Sequence, residues 1–367
     1  MSNIIQQIFA DNKEIFIASQ NPCGAKRKVL DHIVSCRTPE LGSAIYRCEC
    51  GETVLVNHSC RDRHCPICQG TQNAAWAQKQ MESALPVKYF HVVFTLPDVI
   101  NPFAAKHPSQ CYDALFKAAS SALLKLSANP KYLGATPGFT AVLHTWGQTM
   151  QFHPHLHVII TAGGLSGSGI QFVDKSDTRF LFPVKVLSRL FRGLFIRILS
   201  DSVKIPYSLR SSLYQKDFFC YLKEPLNRAD NVVKYLARYA NRVCISDSRV
   251  LEYDKLLNTV TFSFKDNRDG GKLKTMTISA IEFMSRFLLH VLPPKFMKIR
   301  HYGLLNNKGK FERVKLCRRI LLKTGCVMLF VVPHLDFNAF SCPKCGNALS
   351  LSGHFSATDL RKVLLRC

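Results

Sequence analysis

Acidic residues are scarce in this sequence. Its 367 residues include 25 aspartates and glutamates against 49 lysines and arginines, which gives a formal net charge of +24. A chain this basic usually binds a polyanion, and nucleic acid is the most common one. We therefore expect a nucleic-acid-binding protein, with an anionic membrane surface as the weaker alternative.

Long apolar runs are also missing. No stretch of about 18 consecutive apolar residues occurs, so the sequence predicts no transmembrane helix. Residues 1–7 lack the basic and apolar regions of a secretion signal. Apolar residues nevertheless make up 47% of the chain, which argues against global disorder. We expect a folded cytoplasmic protein of two or three domains without a membrane partner.

Cysteine, by contrast, is abundant and clustered. Seven of the 15 cysteines lie between residues 23 and 68. Without a secretion signal, such clustering is typical of metal ligands rather than disulfides. The Cys65-Pro66-Ile67-Cys68 knuckle predicts a structural Zn²⁺ site, which the upstream Cys48/Cys50 pair can complete. The candidate zinc ligands are Cys48, Cys50, Cys60, Cys65 and Cys68, with His64 as a further candidate.

A second knuckle, Cys342-Pro343-Lys344-Cys345, lies near the end of the sequence. Only Cys367, or one of the two histidines His334 and His354, would complete a site there, so the basis for a second zinc ion is weak.

Histidines alternate with apolar residues between positions 152 and 160. In a strand, His155 and His157 would share one face, with Leu156 in the core. Two imidazoles on one face can bind a metal ion if a third ligand is near. We expect Gln148, in the turn before this strand, to be the third ligand, with His144 and His91 as alternatives.

Two tyrosines, Tyr235 and Tyr239, are four residues apart in a predicted helix over residues 228–242 and so lie on one helical face. Tyrosines at this spacing are more often packing residues than catalytic ones. Here the neighbouring cations Lys234, Arg238 and Arg242 could bind phosphate. A nearby metal or cation would also favour the phenolate, which makes tyrosine a nucleophile.

Residues 295–323 contain ten lysines and arginines and one acidic residue, Glu312. Aromatic residues are interleaved, as in segments that contact phosphates and stacked bases. An ordinary solvated basic face explains this stretch equally well. We take Lys298 and Arg300 as candidate DNA contacts.

The predicted elements indicate an α+β fold with an antiparallel sheet. Apolar and β-branched runs predict strands at 87–96, 139–146, 155–161, 218–223, 243–246, 259–265 and 274–279. Helical periodicity predicts helices at 108–128 and 280–291, and an amphipathic insertion near 180–215. We expect three regions, namely a helical and zinc-binding domain (1–85), a catalytic domain (86–265) and a basic C-terminal region (266–367).

Several short motifs, taken in order, resemble one known family. The chain resembles the rolling-circle transposases of the insertion sequence 91 family, two-tyrosine members of the HUH endonuclease superfamily. The matching stretches are residues 36–38, 59–69, 89–97, 146–148, 153–157, 182–188, 235–239 and 300–303. One departure is that a single residue separates Cys48 from Cys50, where relatives usually have two.

The resemblance implies an N-terminal zinc-binding domain and a ferredoxin-like antiparallel sheet. It implies that His155 and His157 bind Mg²⁺ or Mn²⁺, and that Tyr235 and Tyr239 are paired nucleophiles. These would nick and rejoin single-stranded DNA at element ends and target through 5′-phosphotyrosine intermediates. A host helicase would be a further partner. The expected location is the bacterial cytoplasm, in association with the nucleoid.

Two other functions remain open at this point. A rolling-circle replication initiator would have the same active site, but no helicase-type Gly-x-x-x-x-Gly-Lys-Ser/Thr loop occurs, which argues against a self-sufficient initiator. A non-catalytic zinc-containing DNA-binding protein is the alternative from a different class.

Overall fold

The computed structural model describes residues 3–69, 76, 80, 82–178, 181–216, 218–226, 242–323 and 341–356. We number the elements in chain order. The helices are α1 (Ile4–Gln20), α2 (Gly24–Ser35), α3 (Asn101–Lys106), α4 (Pro108–Ala128), α5 (Val184–Ser202), α6 (Tyr207–Gln215), α7 (Ala280–Leu288) and α8 (Lys310–Lys323). The strands are β1 (Ser43–Arg47), β2 (Thr53–Asn57), β3 (Tyr89–Thr95), β4 (Ala135–Trp146), β5 (Phe152–Ser166), β6 (Phe172–Asp174), β7 (Phe219–Leu226), β8 (Val250–Asp254), β9 (Thr259–Asp266), β10 (Lys272–Ser279), β11 (Ile299–Gly303) and β12 (Ser350–Phe355).

The largest sheet has the strand order β11-β4-β5-β3-β7, and β6 pairs with β5. Its pairs are antiparallel. Helix α4 connects β3 to β4, and α5 lies between β5 and β7. Four strands in the spatial order β4-β5-β3-β7, with a helix after the first and the third in sequence, form a ferredoxin-like βαββαβ unit. The predicted fold class is therefore confirmed.

One face of this sheet is covered by helices. Side chains that alternate along β3 and β5, such as Phe90, Val92, Leu156 and Val158, are fully buried in a core shared with α4 and α5. Helix α5 had been predicted as an insertion, but it supplies the second helix of this layer. The opposite sheet face carries the histidines and stays accessible from outside.

The N-terminal helices pack against a sheet formed much later in the chain. Helices α1 and α2 share a core with α7 and with the three-stranded sheet β10-β9-β8. The rings of Phe9 and Phe287 meet edge to face, with centroids 5.1 Å apart. Asn3 caps α1 by accepting a hydrogen bond from the Gln6 amide. The predicted domain boundaries stay a prediction.

A third sheet joins the two ends of the chain, in the order β12-β1-β2. The predicted strands at 259–265 and 274–279 are confirmed as β9 and β10, whereas residues 243–246, also predicted as a strand, form an irregular segment with a bend. Within the described part of the chain, no helix is long and apolar enough to cross a bilayer.

Candidate active site

Three histidines from neighbouring strands meet on the open sheet face. Along β5, His155 and His157 point to this face, whereas Leu156 between them is fully buried on the other side. His144 of β4 lies directly opposite His155 in the strand register. Since directly opposed residues of an antiparallel pair share a face, the register places three imidazoles together.

The geometry of the three imidazoles fits a metal ion. One ring nitrogen from each of His144, His155 and His157 lies within 4.8 Å of the others. The Nε2 atoms of His155 and His157 are 3.1 Å apart. Two nitrogens that each lie ~2.1 Å from one ion, at roughly a right angle, would be ~3.0 Å apart. Neutral imidazoles suit Mn²⁺ or Zn²⁺ better than Mg²⁺.

The other ring nitrogens of two of these histidines have partners of their own. His155 donates from Nδ1 to the backbone carbonyl of His153 at 2.7 Å, which leaves its Nε2 lone pair free for a metal. His157 Nδ1 lies 3.0 Å from Nε2 of His91, on β3. Burial lowers the pKa of His155 to about 4, so its imidazole is neutral at ordinary pH, as a ligand requires.

The histidines lie in a large open cleft. Its volume is about 1420 Å³, and its basic lining residues are Arg242, Arg249, Lys265 and Arg268. Two acidic residues also line it, but Asp247 accepts a hydrogen bond from the Ile5 amide and Asp266 pairs with Lys274. The cleft therefore offers cations beside the histidines, as a site for a phosphodiester chain requires.

Four cysteines form a group near the start of the chain, at Cys36, Cys60, Cys65 and Cys68. The Cys68 sulfur is 3.6 Å from those of Cys36 and Cys60. Hydrogen bonds from Cys36, Cys60 and Cys65 lower the pKa of Cys68, which favours the thiolate that zinc needs. The group fits a closed structural Zn²⁺ site.

His64 lies beside this group without joining it. Its Nδ1 is 3.1 Å from Asp62, and its Nε2 accepts a hydrogen bond from the Leu292 amide at 3.1 Å. His32 binds the other carboxylate oxygen of Asp62 at 2.8 Å. Burial raises the pKa of Asp62, but the hydrogen bonds from His64 and His32 outweigh it and hold that pKa below its usual range.

The predicted grouping of Cys48 and Cys50 with the Cys65/Cys68 knuckle is corrected by the structure. Cys48 and Cys50 lie in the turn between β1 and β2, at the opposite end of that hairpin from Cys60. A strand of five residues spans ~16 Å, too far for sulfurs at its two ends to share one ion. Cys48 and Cys50 instead group with Cys342 and Cys345.

Two family models match the chain. One, described as a transposase zinc-binding domain and belonging to the insertion sequence 91 type, covers residues 8–96, and it contains all four cysteines of the first group. The other, described as "Putative transposase", covers residues 138–312 and contains the three histidines.

Two relatives cover most of the chain. "Putative transposase y4qJ" of Sinorhizobium fredii (strain NBRC 101917 / NGR234) is 40% identical over 315 residues, which is 81% of this chain and 78% of the relative. "Transposase for insertion sequence element IS801" of Pseudomonas savastanoi pv. phaseolicola is 26% identical over 359 residues, which is 91% and 85%. This chain belongs to the insertion sequence 91 family of transposases. No solved structure matches it.

For the third metal ligand of this transposase, the sequence favoured Gln148, with His144 and His91 as alternatives. His144, one of the two alternatives, lies within the histidine group. Gln148 lies exposed in the turn between β4 and β5, where its backbone carbonyl accepts a hydrogen bond from Arg249. Gln148 also lines the cleft, and its role as a ligand stays a prediction. His91, the other alternative, lies beside His157 on the neighbouring strand β3.

The predicted DNA contacts of the transposase have different surroundings. Arg242 lines the cleft. Lys298 donates to the Arg242 carbonyl at 2.9 Å, and burial, with Arg63 nearby, lowers its pKa to about 7. Arg300 pairs with Asp113 at 2.5 Å. The last two side chains therefore have partners within the protein, and their contact with DNA stays a prediction.

The predicted nucleophiles and their neighbours lie outside the described residues, namely Tyr235, Tyr239, Lys234 and Arg238.

Two aromatic residues lie near the histidines, at positions that the sequence pattern does not reveal. Phe219 and Tyr221 on β7 are 69% and 57% exposed. They pair with Thr95 and Val93 of β3, which in turn pair with His155 and His157, so they share the histidine face. The strand at 218–223 was predicted, but its register was not. Exposed aromatic side chains beside a basic cleft are suited to stacking on unpaired bases.

Proposed function

We propose that this transposase nicks and rejoins single-stranded DNA in the histidine cleft. The proposal rests on one observation above all, namely that His144, His155 and His157 converge inside a basic cleft. Membership of the insertion sequence 91 family supports it. A divalent cation bound by these histidines, Mn²⁺ or Mg²⁺, would supply Lewis-acid polarisation of a phosphoryl oxygen.

The chemical step that we propose uses Tyr235 or Tyr239 as the nucleophile. The phenolic oxygen loses its proton and forms a bond to phosphorus, while the bond from phosphorus to the 3′ oxygen breaks. The departing oxygen takes up a proton and becomes a free 3′-hydroxyl. The 5′-phosphotyrosine link keeps the energy of the phosphodiester bond, so reversal of the step with another 3′-hydroxyl rejoins strands.

The cations and imidazoles have distinct roles in this proposal. Arg242, Arg249 and Lys265 neutralise the phosphates on either side of the scissile bond, which holds the strand in place. The neutral ring of His155 keeps its lone pair directed into the cleft through the hydrogen bond to the His153 carbonyl. Two tyrosines would permit two successive links, one for each strand end.

The decisive experiment mixes the purified full chain, Mn²⁺ and labelled single-stranded DNA from the end of its own element. We expect a covalent protein–DNA adduct that survives denaturing electrophoresis. The adduct should vanish in the Tyr235→Phe/Tyr239→Phe double variant and in His155→Ala. Tyr207→Phe is the matched control, because Tyr207 is 87% exposed on α6 in the helical layer, and its adduct should equal that of the wild type.

Absence of an adduct with folded wild-type protein and the cognate end would instead favour the non-catalytic DNA-binding alternative. A replication initiator would form the same adduct, so a second assay is needed to separate it. The transposase should join the cleaved end to a separate target strand, and this product should be missing if the protein only initiates replication.

A further inference from the structure

We infer that the transposase binds a second structural zinc ion, held by Cys48 and Cys50 from the beginning of the chain and by Cys342 and Cys345 from its end. The matched zinc-binding domain stops at residue 96, so half of this site lies outside it.

The sulfur geometry fits one shared ion. The Cys48 and Cys345 sulfurs are 3.4 Å apart, and those of Cys50 and Cys342 are 3.6 Å apart. All four lie within 4.8 Å of one another. Zinc bonds of ~2.3 Å in a tetrahedron place sulfurs ~3.8 Å apart. The observed separations are close to this value and far longer than a disulfide bond of ~2.05 Å.

Each cysteine pair lies on a tight turn that ends at a glycine. The Gly51 amide donates to the Cys48 carbonyl at 3.0 Å, and the Gly346 amide donates to the Cys342 carbonyl at 2.9 Å. Both glycines have positive φ, +88° and +77°, which a residue with a side chain rarely adopts. Two glycine-closed turns, with hydrogen bonds that span three and four residues, thus present their sulfurs to each other.

The sheet around this site has little core of its own. Strand β1 pairs with β2 on one side and β12 on the other, with Ser43 opposite Phe355 and Arg47 opposite Ser350. Most side chains of β2 and β12 are exposed or only partly buried. A small sheet with so few buried apolar residues needs another source of stability, and a zinc ion supplies one. The ion would link the β1–β2 turn to the turn at residues 342–346.

Zinc content of the full-length protein, purified under reducing conditions, tests the inference. We expect two zinc ions per wild-type chain. The Cys342→Ser/Cys345→Ser variant should retain one, and so should Cys48→Ser/Cys50→Ser. The variant with all four substitutions should also retain one, because both pairs bind the same ion. Cys23→Ser is the control and should retain two, since Cys23 is exposed and belongs to neither group.

Three results would overturn the inference. They are a wild-type chain with one zinc ion, a C-terminal variant with unchanged zinc content, and a fourfold variant that loses two ions. Should a variant fail to fold, Co²⁺ loading of the wild type decides, because two tetrahedral thiolate sites give twice the sulfur-to-cobalt absorption per chain that one site gives. None of these readouts depends on DNA cleavage.

Discussion

At the scale of single residues, His91 contacts His157, one of the proposed metal ligands, on the same face of the sheet. It is 2% exposed on β3, and its ring stacks on that of His157 with centroids 5.2 Å apart. Its Nε2 lies 3.0 Å from Nδ1 of His157. Since this contact holds the His157 ring with Nε2 towards His155, we expect the proposed metal site to depend on His91, which is not itself one of the proposed ligands.

We expect His91→Phe to weaken Mn²⁺ binding by about 10- to 100-fold, because Phe fills the space but cannot hydrogen-bond to His157. Isothermal titration of the folded, DNA-free protein with Mn²⁺ measures the effect. His91→Gln, whose amide can bond to the ring, should recover part of the affinity.

The control for this prediction is His153→Gln. His153 holds His155 through its backbone carbonyl, which the variant keeps. Its side chain lies 3.5 Å from Asp98, with the ring centroid 5.3 Å from that of His155, so the affinity should change far less than in His91→Phe. If His91→Phe bound Mn²⁺ as tightly as the wild type, the proposed role of His91 would be refuted.

Residue patterns predicted part of this site. Alternation along β5 was enough to place His155 and His157 on one face, because strand periodicity is a local property. The histidine opposite them on β4 was harder to predict, because its position depends on the register of the β4–β5 hairpin. A register shift between His144 and Trp146 brings His144 opposite His155 and leaves Gln148 in the turn. Spacing along the chain does not reveal such a shift.

At the scale of elements, β11 depends on the glycine at its end. Gly303 has φ +59°, and a Cβ atom there would lie 1.9 Å from the Pro137 carbonyl oxygen on β4. The clash would be with backbone, which cannot move aside as a flexible side chain can. This gives a physical reason for glycine at the end of the 300–303 motif.

We expect Gly303→Ala to destabilise the protein by at least ~2 kcal/mol, from left-handed backbone strain and the clash together. Urea unfolding measures the loss. Gly167→Ala is the matched control, because a Cβ atom there meets nothing within 4 Å, and it should change stability by less than ~0.5 kcal/mol. Equal unfolding midpoints for the two variants would contradict this account.

Element prediction succeeded where the local pattern was strong. Helix α4 begins at Pro108 and ends at Ala128 as expected, since proline suits the first helical turn. Two other assignments failed for reasons of topology. The amphipathic segment that became α5 gave no sign that it connects two strands of the same sheet. The sequence likewise could not show that a hairpin separates Cys48 from Cys60, because the distance between their sulfurs depends on the folded strands and not on their spacing along the chain.

At the scale of the whole molecule, the net charge of +24 matters through its distribution. The histidine face of the large sheet opens into a cleft lined by Arg242, Arg249, Lys265 and Arg268, whereas the other face is buried under α4 and α5. The cations that bind single-stranded DNA should therefore be those of the cleft. Exposed cations on the helical layer should contribute far less, because their interactions are screened over about 8–10 Å at physiological salt.

Salt dependence distinguishes the two sets of cations. For single-stranded DNA, each phosphate contact makes the slope of log K against log salt concentration more negative by ~0.7. Lys265 is an exposed cleft residue, so Lys265→Ala should make the slope less steep by ~0.7 and weaken binding at low salt. Lys204→Ala should leave the slope unchanged, because Lys204 is exposed on the loop between α5 and α6. Fluorescence anisotropy across a salt series, in the absence of metal, gives both slopes. Equal slopes for the wild type, Lys265→Ala and Lys204→Ala would mean that the DNA binds outside the cleft. That result would contradict the proposed nicking site.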